Sequence, residues 1–127
     1  MKLRTGLEYP FIILKNGIPT SCKLAVQVEP RAGTLNQETG EIISRTAFYE
    51  SIHEALLPIE DKDWGETKRL KYLPKTLEIL AIQLWEWLDE TLPAYAKLTH
   101  VRLQNDQYFV EYKSKTPYRQ RGNYEVD

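Results

Sequence analysis

The dipeptide Asn16-Gly17 constrains this chain more than any other local feature, because it separates two runs of alternating apolar residues. Asn-Gly accepts the positive φ angles of a type I′ turn, whose twist matches that of two antiparallel strands. Pairing outward from the turn sets Phe11 opposite Cys22, Tyr9 opposite Leu24, Leu7 opposite Val26 and Thr5 opposite Val28 on one face. The other face carries Ile12 with Ser21, Glu8 with Ala25 and Arg4 with Glu29. One face is apolar and the other mixed, as a half-buried ribbon requires. Pro10 falls on the mixed face and lacks an N–H, which predicts an edge strand or a bulge there.

Beyond Pro30, a turn-rich stretch from Arg31 to Gly40 holds a candidate hairpin tip at Glu38-Thr39-Gly40. Thr46 to Leu57 reads as a helix, with Phe48, Ile52, Ala55 and Leu56 on one stripe and Pro58 as its stop. Residues 59–73 are polar with scattered apolar positions and read as a loop. Pro74 and Thr76 open a second helix running to about Leu92. Its stripe is Leu77, Leu80, Ala81, Leu84 and Leu88, broadened by Ile79, Trp85 and Trp87.

A second hairpin closes the pattern. Leu98–Gln104 and Gln107–Lys113 flank Asn105-Asp106, read as a two-residue turn. That register pairs Leu103 with Tyr108, Val101 with Val110 and Thr99 with Tyr112 on the apolar face. On the other face it pairs Gln104 with Gln107, Arg102 with Phe109 and His100 with Glu111. The expected fold class is α+β, ordered β-β-α-α-β-β, with a four-stranded antiparallel sheet carrying two helices on one face. Residues 1–113 form one domain in this reading, and 114–127 a polar tail without periodicity.

Composition sets the outer limits. A chain of 127 residues with 42% apolar content supports one core, and halves of it would bury too little. Its 17 basic and 18 acidic side chains give a net charge of -1, with no global pull toward nucleic acid or anionic lipid. No apolar run exceeds four residues, which excludes a membrane-spanning helix and argues against a signal peptide. One cysteine excludes an internal disulfide and makes a reducing cytoplasm the expected setting. Two histidines and one cysteine cannot build a three-histidine zinc site within one chain.

The element order and several runs resemble the tunnelling-fold enzymes, in particular the 6-pyruvoyl- and 6-carboxytetrahydropterin synthase group. The run Cys22-Lys23-Leu24-Ala25-Val26-Gln27-Val28 is similar to that family's second strand, and Glu38-Thr39-Gly40-Glu41-Ile42-Ile43 to its approach to the first helix. Leu56 to Asp63 resembles the family's Leu-Asp-His segment, Thr76 to Leu92 its second helix, and Val101-Arg102-Leu103 with Val110-Glu111-Tyr112 its closing hairpin. The resemblance implies a ring or stacked pair of rings. It also implies zinc held by a histidine on the first strand and a His-x-His pair opening the second. Here those regions read Phe11-Ile12-Ile13 and Pro19-Thr20-Ser21. The family's long loop with its catalytic cysteine is replaced by the tight turn, and its catalytic histidine by Glu60-Asp61. No metal and no cofactor are therefore expected.

Several residues remain as candidate sites. His100 with Glu111 could form a carboxylate-oriented base, although without a nucleophile beside them a cross-strand polar pair is the plainer reading. Gln104, Asn105 and Asp106 stand where the family anchors its pterin ring. Cys22, placed on the core face, reads as a buried structural thiol. Glu60, Asp61, Asp63 and Glu66 lack the spacing of a calcium loop and read as solvated. Trp64, amid those charges, must cover either the domain's own core or a protein partner. Lys68, Arg69, Lys71, Lys113, Lys115, Arg119 and Arg121, interleaved with tyrosines, form a candidate surface for nucleic acid or a protein partner.

The leading expectation is a non-catalytic, self-associating binding or structural subunit derived from the pterin synthase fold. One alternative is a metal-independent enzyme or binder for a pterin or purine-like ring. Another is an accessory protein of a nucleoprotein complex that uses the basic tail.

Overall fold

The turn at Asn16-Gly17 has both residues at positive φ, 53° and 80°, as a type I′ connection demands. It joins β1 (Thr5–Lys15) to β2 (Ile18–Pro30). The register places Phe11 opposite Cys22, Tyr9 opposite Leu24 and Leu7 opposite Val26, as the turn predicts. The ladder opens at Thr5 with Val28, so Arg4 and Glu29 lie beyond it. The structure is a computed structural model and describes residues 3–31, 35 and 39–113.

The remaining elements are α1 (Arg45–Leu56), a single 3-10 turn at Trp64–Glu66, α2 (Leu77–Thr91), β3 (Ala96–Gln104) and β4 (Phe109–Lys113). The strands form one antiparallel sheet in the order β1-β2-β3-β4, and both helices pack on one face of it. Ser44 caps α1 by accepting from the Ala47 N–H, and Thr76 caps α2 by accepting from the Ile79 N–H. The Thr91 hydroxyl donates to the Ser51 carbonyl at 2.9 Å and ties the end of α2 to α1. Trp85 meets Tyr112 edge to face at 5.1 Å, seating α2 on β4. No helix among the described residues is long and apolar enough to cross a membrane.

β1 is an edge strand, as Pro10 requires. The Asp61 N–H donates to the Ile12 carbonyl at 2.7 Å, and the Leu14 N–H donates to the Lys62 carbonyl at 3.0 Å. Even-numbered backbone groups of β1 therefore point away from β2, and the missing N–H of Pro10 costs no bond to that neighbour. The same contacts cover the outer edge from Ile12 to Leu14 with the chain's own 61–63 segment.

The structure corrects two expectations. The second hairpin has a four-residue loop, so Val101 faces Tyr112, Leu103 faces Val110, Arg102 faces Glu111 and His100 faces Lys113. The Asn105 side-chain oxygen accepts from the N–H groups of Gln107 and Tyr108, and the Asn105 N–H donates to the Tyr108 carbonyl, which closes the longer loop. The slip is two residues, so every side chain keeps its face. A bulge is also present in β3, where the β2 partner steps from Gln27 opposite His100 to Val28 opposite Leu98. Thr99 is the extra residue, and its hydroxyl donates to the Gln27 carbonyl.

The second correction concerns residues 59–73, which contribute to the core. Ile59, Trp64 and Leu70 are completely buried. Trp64 Nε1–H donates to the Leu70 carbonyl at 2.8 Å and to the Leu73 carbonyl at 3.2 Å. Its ring thus covers this domain's own core and offers no contact to a partner. The expected tip at Glu38-Thr39-Gly40 begins at Glu38, outside the described residues, and Gly40 has φ 71°. The expected tail, 114–127, also lies outside them.

Candidate functional site

The face of the sheet opposite the helices carries the even-numbered side chains of β1 and those of Gln27, His100, Arg102, Gln104, Glu111 and Lys113. At one end it holds a cavity of about 350 Å³ to which all four strands contribute. Arg4, Thr5 and Gly6 line it from the β1 side, Gln27 from β2, His100 from β3, and Glu111 and Lys113 from β4. His100 and Glu111 thus share the cavity but are not direct cross-strand partners. His100 Nδ1 lies 3.1 Å from the Thr99 hydroxyl. Burial lowers the pKa of His100, the charges of Arg4 and Lys113 lower it further, and Glu111 and Glu29 oppose them.

The ring-binding candidates lie elsewhere. Gln104 is four residues from His100 along β3, a separation of roughly 13 Å. The Asn105 oxygen is occupied in closing the loop, and Asp106 is exposed at its tip. The acid–base pair and the ring contacts therefore do not converge on one pocket.

The basic candidates are also divided. Arg69 stacks over the Trp87 ring at 5.0 Å on the helix layer, and Lys71 lies 5.0 Å over Tyr72. Lys113 lines the open sheet face. Lys68 is exposed near Arg69, whereas Lys115, Arg119 and Arg121 lie outside the described residues.

The zinc that the resemblance implies finds no suitable donors at its expected place. Phe11 and Ile13 are buried hydrocarbon, and Thr20 and Ser21 supply only hydroxyls. Among the described residues no three His, Cys, Asp or Glu side chains are grouped to hold a metal ion. Cys22 is buried, and that burial pushes its thiol pKa up. Asp63 is engaged in structure, accepting from the Gly17 N–H at 2.7 Å and from the Gly65 N–H at 3.1 Å.

One constellation was missed by sequence reasoning. The buried Tyr9 hydroxyl donates to Glu60 Oε1 at 3.1 Å and lies 2.8 Å from His53 Nδ1. A single hydroxyl proton cannot serve both, so the phenol oxygen accepts from His53 Nδ1–H. Tyr49 stacks near-parallel to His53 at 6.2 Å and tilts against Tyr9 at 5.3 Å. Burial first, then the Glu60 hydrogen bond and charge, push the Tyr9 pKa well above the ordinary phenol range. The i, i+4 spacing of Tyr49 and His53 was the one sequence signal for this group. Leu7, Arg45, Thr46, Tyr49 and Glu50 line a second cavity of about 390 Å³ alongside β1.

No protein-family model matches the chain, and no curated protein sequence matches it. Among solved structures, the Caenorhabditis elegans 6-pyruvoyl tetrahydropterin synthase superposes with a TM-score of 0.78 at 13% identity, covering 91% of this chain and 97% of that one. At this identity the likeness is one of architecture, and the chain has the tunnelling fold that this synthase displays.

Proposed function

We propose that the chain is a self-associating subunit, binding or structural in role, that uses the tunnelling fold without zinc chemistry. The observation that carries this reading is the state of the sheet edges. Among the described residues the outer edge of β1 is covered from Ile12 to Leu14 and carries no backbone hydrogen bond from Gly6 to Pro10, and β4 forms the opposite edge. Edges of this kind favour strand addition, and joining β4 of one copy to β1 of the next would pair them in a closed ring. The cavity lined by Leu7 and Tyr49 abuts the open part of β1 and can receive side chains of an added strand. The polar sheet face would then line a shared interior. A cytoplasmic setting fits the single buried cysteine.

The test is Glu8→Pro. The Glu8 N–H points outward by the alternation set at Ile12 and Leu14, so proline there blocks an incoming strand without removing a bond to β2. Its exposed ion pair with Lys23, at 3.7 Å, contributes little. Dissociation with an unchanged far-ultraviolet spectrum is expected. Unchanged assembly would contradict pairing through this edge.

A further inference from the structure

The open-face cavity is lined by two cations, Arg4 and Lys113, and one carboxylate, Glu111. Arg4 enters beside β1 and Lys113 from the end of β4, and neither forms an ion pair among the described residues. Glu111 lines the same cavity, yet its effect on His100 is smaller than that of either cation. Glu29 acts in the same sense as Glu111 and more weakly still. At the imidazole, then, the cations outweigh the carboxylates.

Hydrogen bonding sets the tautomer of that imidazole. Thr99 spends its hydroxyl proton on the Gln27 carbonyl at 3.1 Å, so its oxygen accepts from His100 Nδ1–H at 3.1 Å. Nε2 keeps a lone pair and has no hydrogen bond among the described residues. Gly6 leaves part of the wall bare. A Cβ there would come within 3.2 Å of the Val26 carbonyl oxygen and 3.4 Å of Gln27 Cγ.

We propose that this cavity binds a small oxyanion of the sulfate or phosphate class between Arg4 and Lys113, with His100 Nε2 taking a proton from solvent as the anion enters. A cleft with excess positive charge concentrates anions. The bound anion opposes the burial and the two cations that disfavour the charged imidazole. The protonated ring then donates from Nε2 to an anion oxygen while Nδ1–H stays on Thr99. Because the bound state raises the histidine pKa, affinity increases as pH falls through the interval between the free and bound values.

The test is calorimetric titration of the full chain with sodium sulfate, against sodium chloride at equal ionic strength. Sulfate does not itself titrate in the histidine range. The expected result is saturable binding that weakens from about pH 6 to about pH 8, with proton uptake seen as a dependence of the heat on the buffer. Arg4→Gln and Lys113→Gln should each weaken binding about tenfold. His100→Gln should retain binding and abolish the proton uptake. Arg4 and Lys113 are exposed, so these replacements leave the core intact. Non-saturable heats, sulfate affinity indifferent to both cation replacements, or pH-independent binding would each overturn the proposal. The site lies within one chain, so the result is read separately from self-association.

Discussion

The Tyr9 hydroxyl stands 2.8 Å from His53 Nδ1, joining edge strand β1 to helix α1 across 44 positions of sequence. Glu60 completes the link by accepting the phenol proton at 3.1 Å. The two partners are partly solvated, so water can replace the hydroxyl for them. Tyr9→Phe should therefore cost only about 1 kcal/mol, read from the shift in urea midpoint. A loss of several times that would mean that the hydroxyl holds the 59–63 segment in place by itself.

Asp63 predicts an acid-sensitive contact. Its carboxylate accepts from Gly17 and Gly65, which holds its pKa below the ordinary range. A depressed acid contributes stability above its unfolded value, and that contribution is lost as pH falls through the lower folded value. The Gly17 amide resonance should titrate with a midpoint below about 3.9, and Asp63→Asn should remove that titration. A midpoint at or above the ordinary value would show that the hydrogen bond does not persist in solution.

The two hairpins show how far the sequence could be read. Asn16-Gly17 leaves one good turn type, and the register it predicts for β1 and β2 is observed from Thr5 with Val28 to Lys15 with Ile18, one pair short of the expected Arg4 with Glu29. Asn105-Asp106 admits more than one loop. The Asn105 side chain bonds two backbone N–H groups and selects the longer one, which no pattern of apolar residues reveals. Trp64 was ambiguous for a different reason. Its neighbours are charged, and its burial depends on carbonyls of Leu70 and Leu73 brought round by the chain. The Tyr9–His53–Glu60 group was illegible because its members meet only after the helix layer docks on β1.

Trp64 should therefore behave as a core residue. Trp64→Ala is expected to cost about 3–5 kcal/mol by chemical denaturation. Trp64→Phe should cost about 1–3 kcal/mol, because the two carbonyls lose their donor. A change near zero for Trp64→Ala would place the ring outside the core.

Cys22 should be slow toward thiol reagents in the folded chain and fast after denaturation, because the thiolate is the reactive form and burial disfavours it. Rapid stoichiometric labelling of native protein would contradict its placement on the core face of β2.

The central claim, that the β1 and β4 edges pair with those of other copies of the same chain, is tested most directly by the molar mass in solution from light scattering across a dilution series. The account predicts a mass that is a multiple of the 14.9 kDa chain. A mass of 14.9 kDa at every concentration would contradict it.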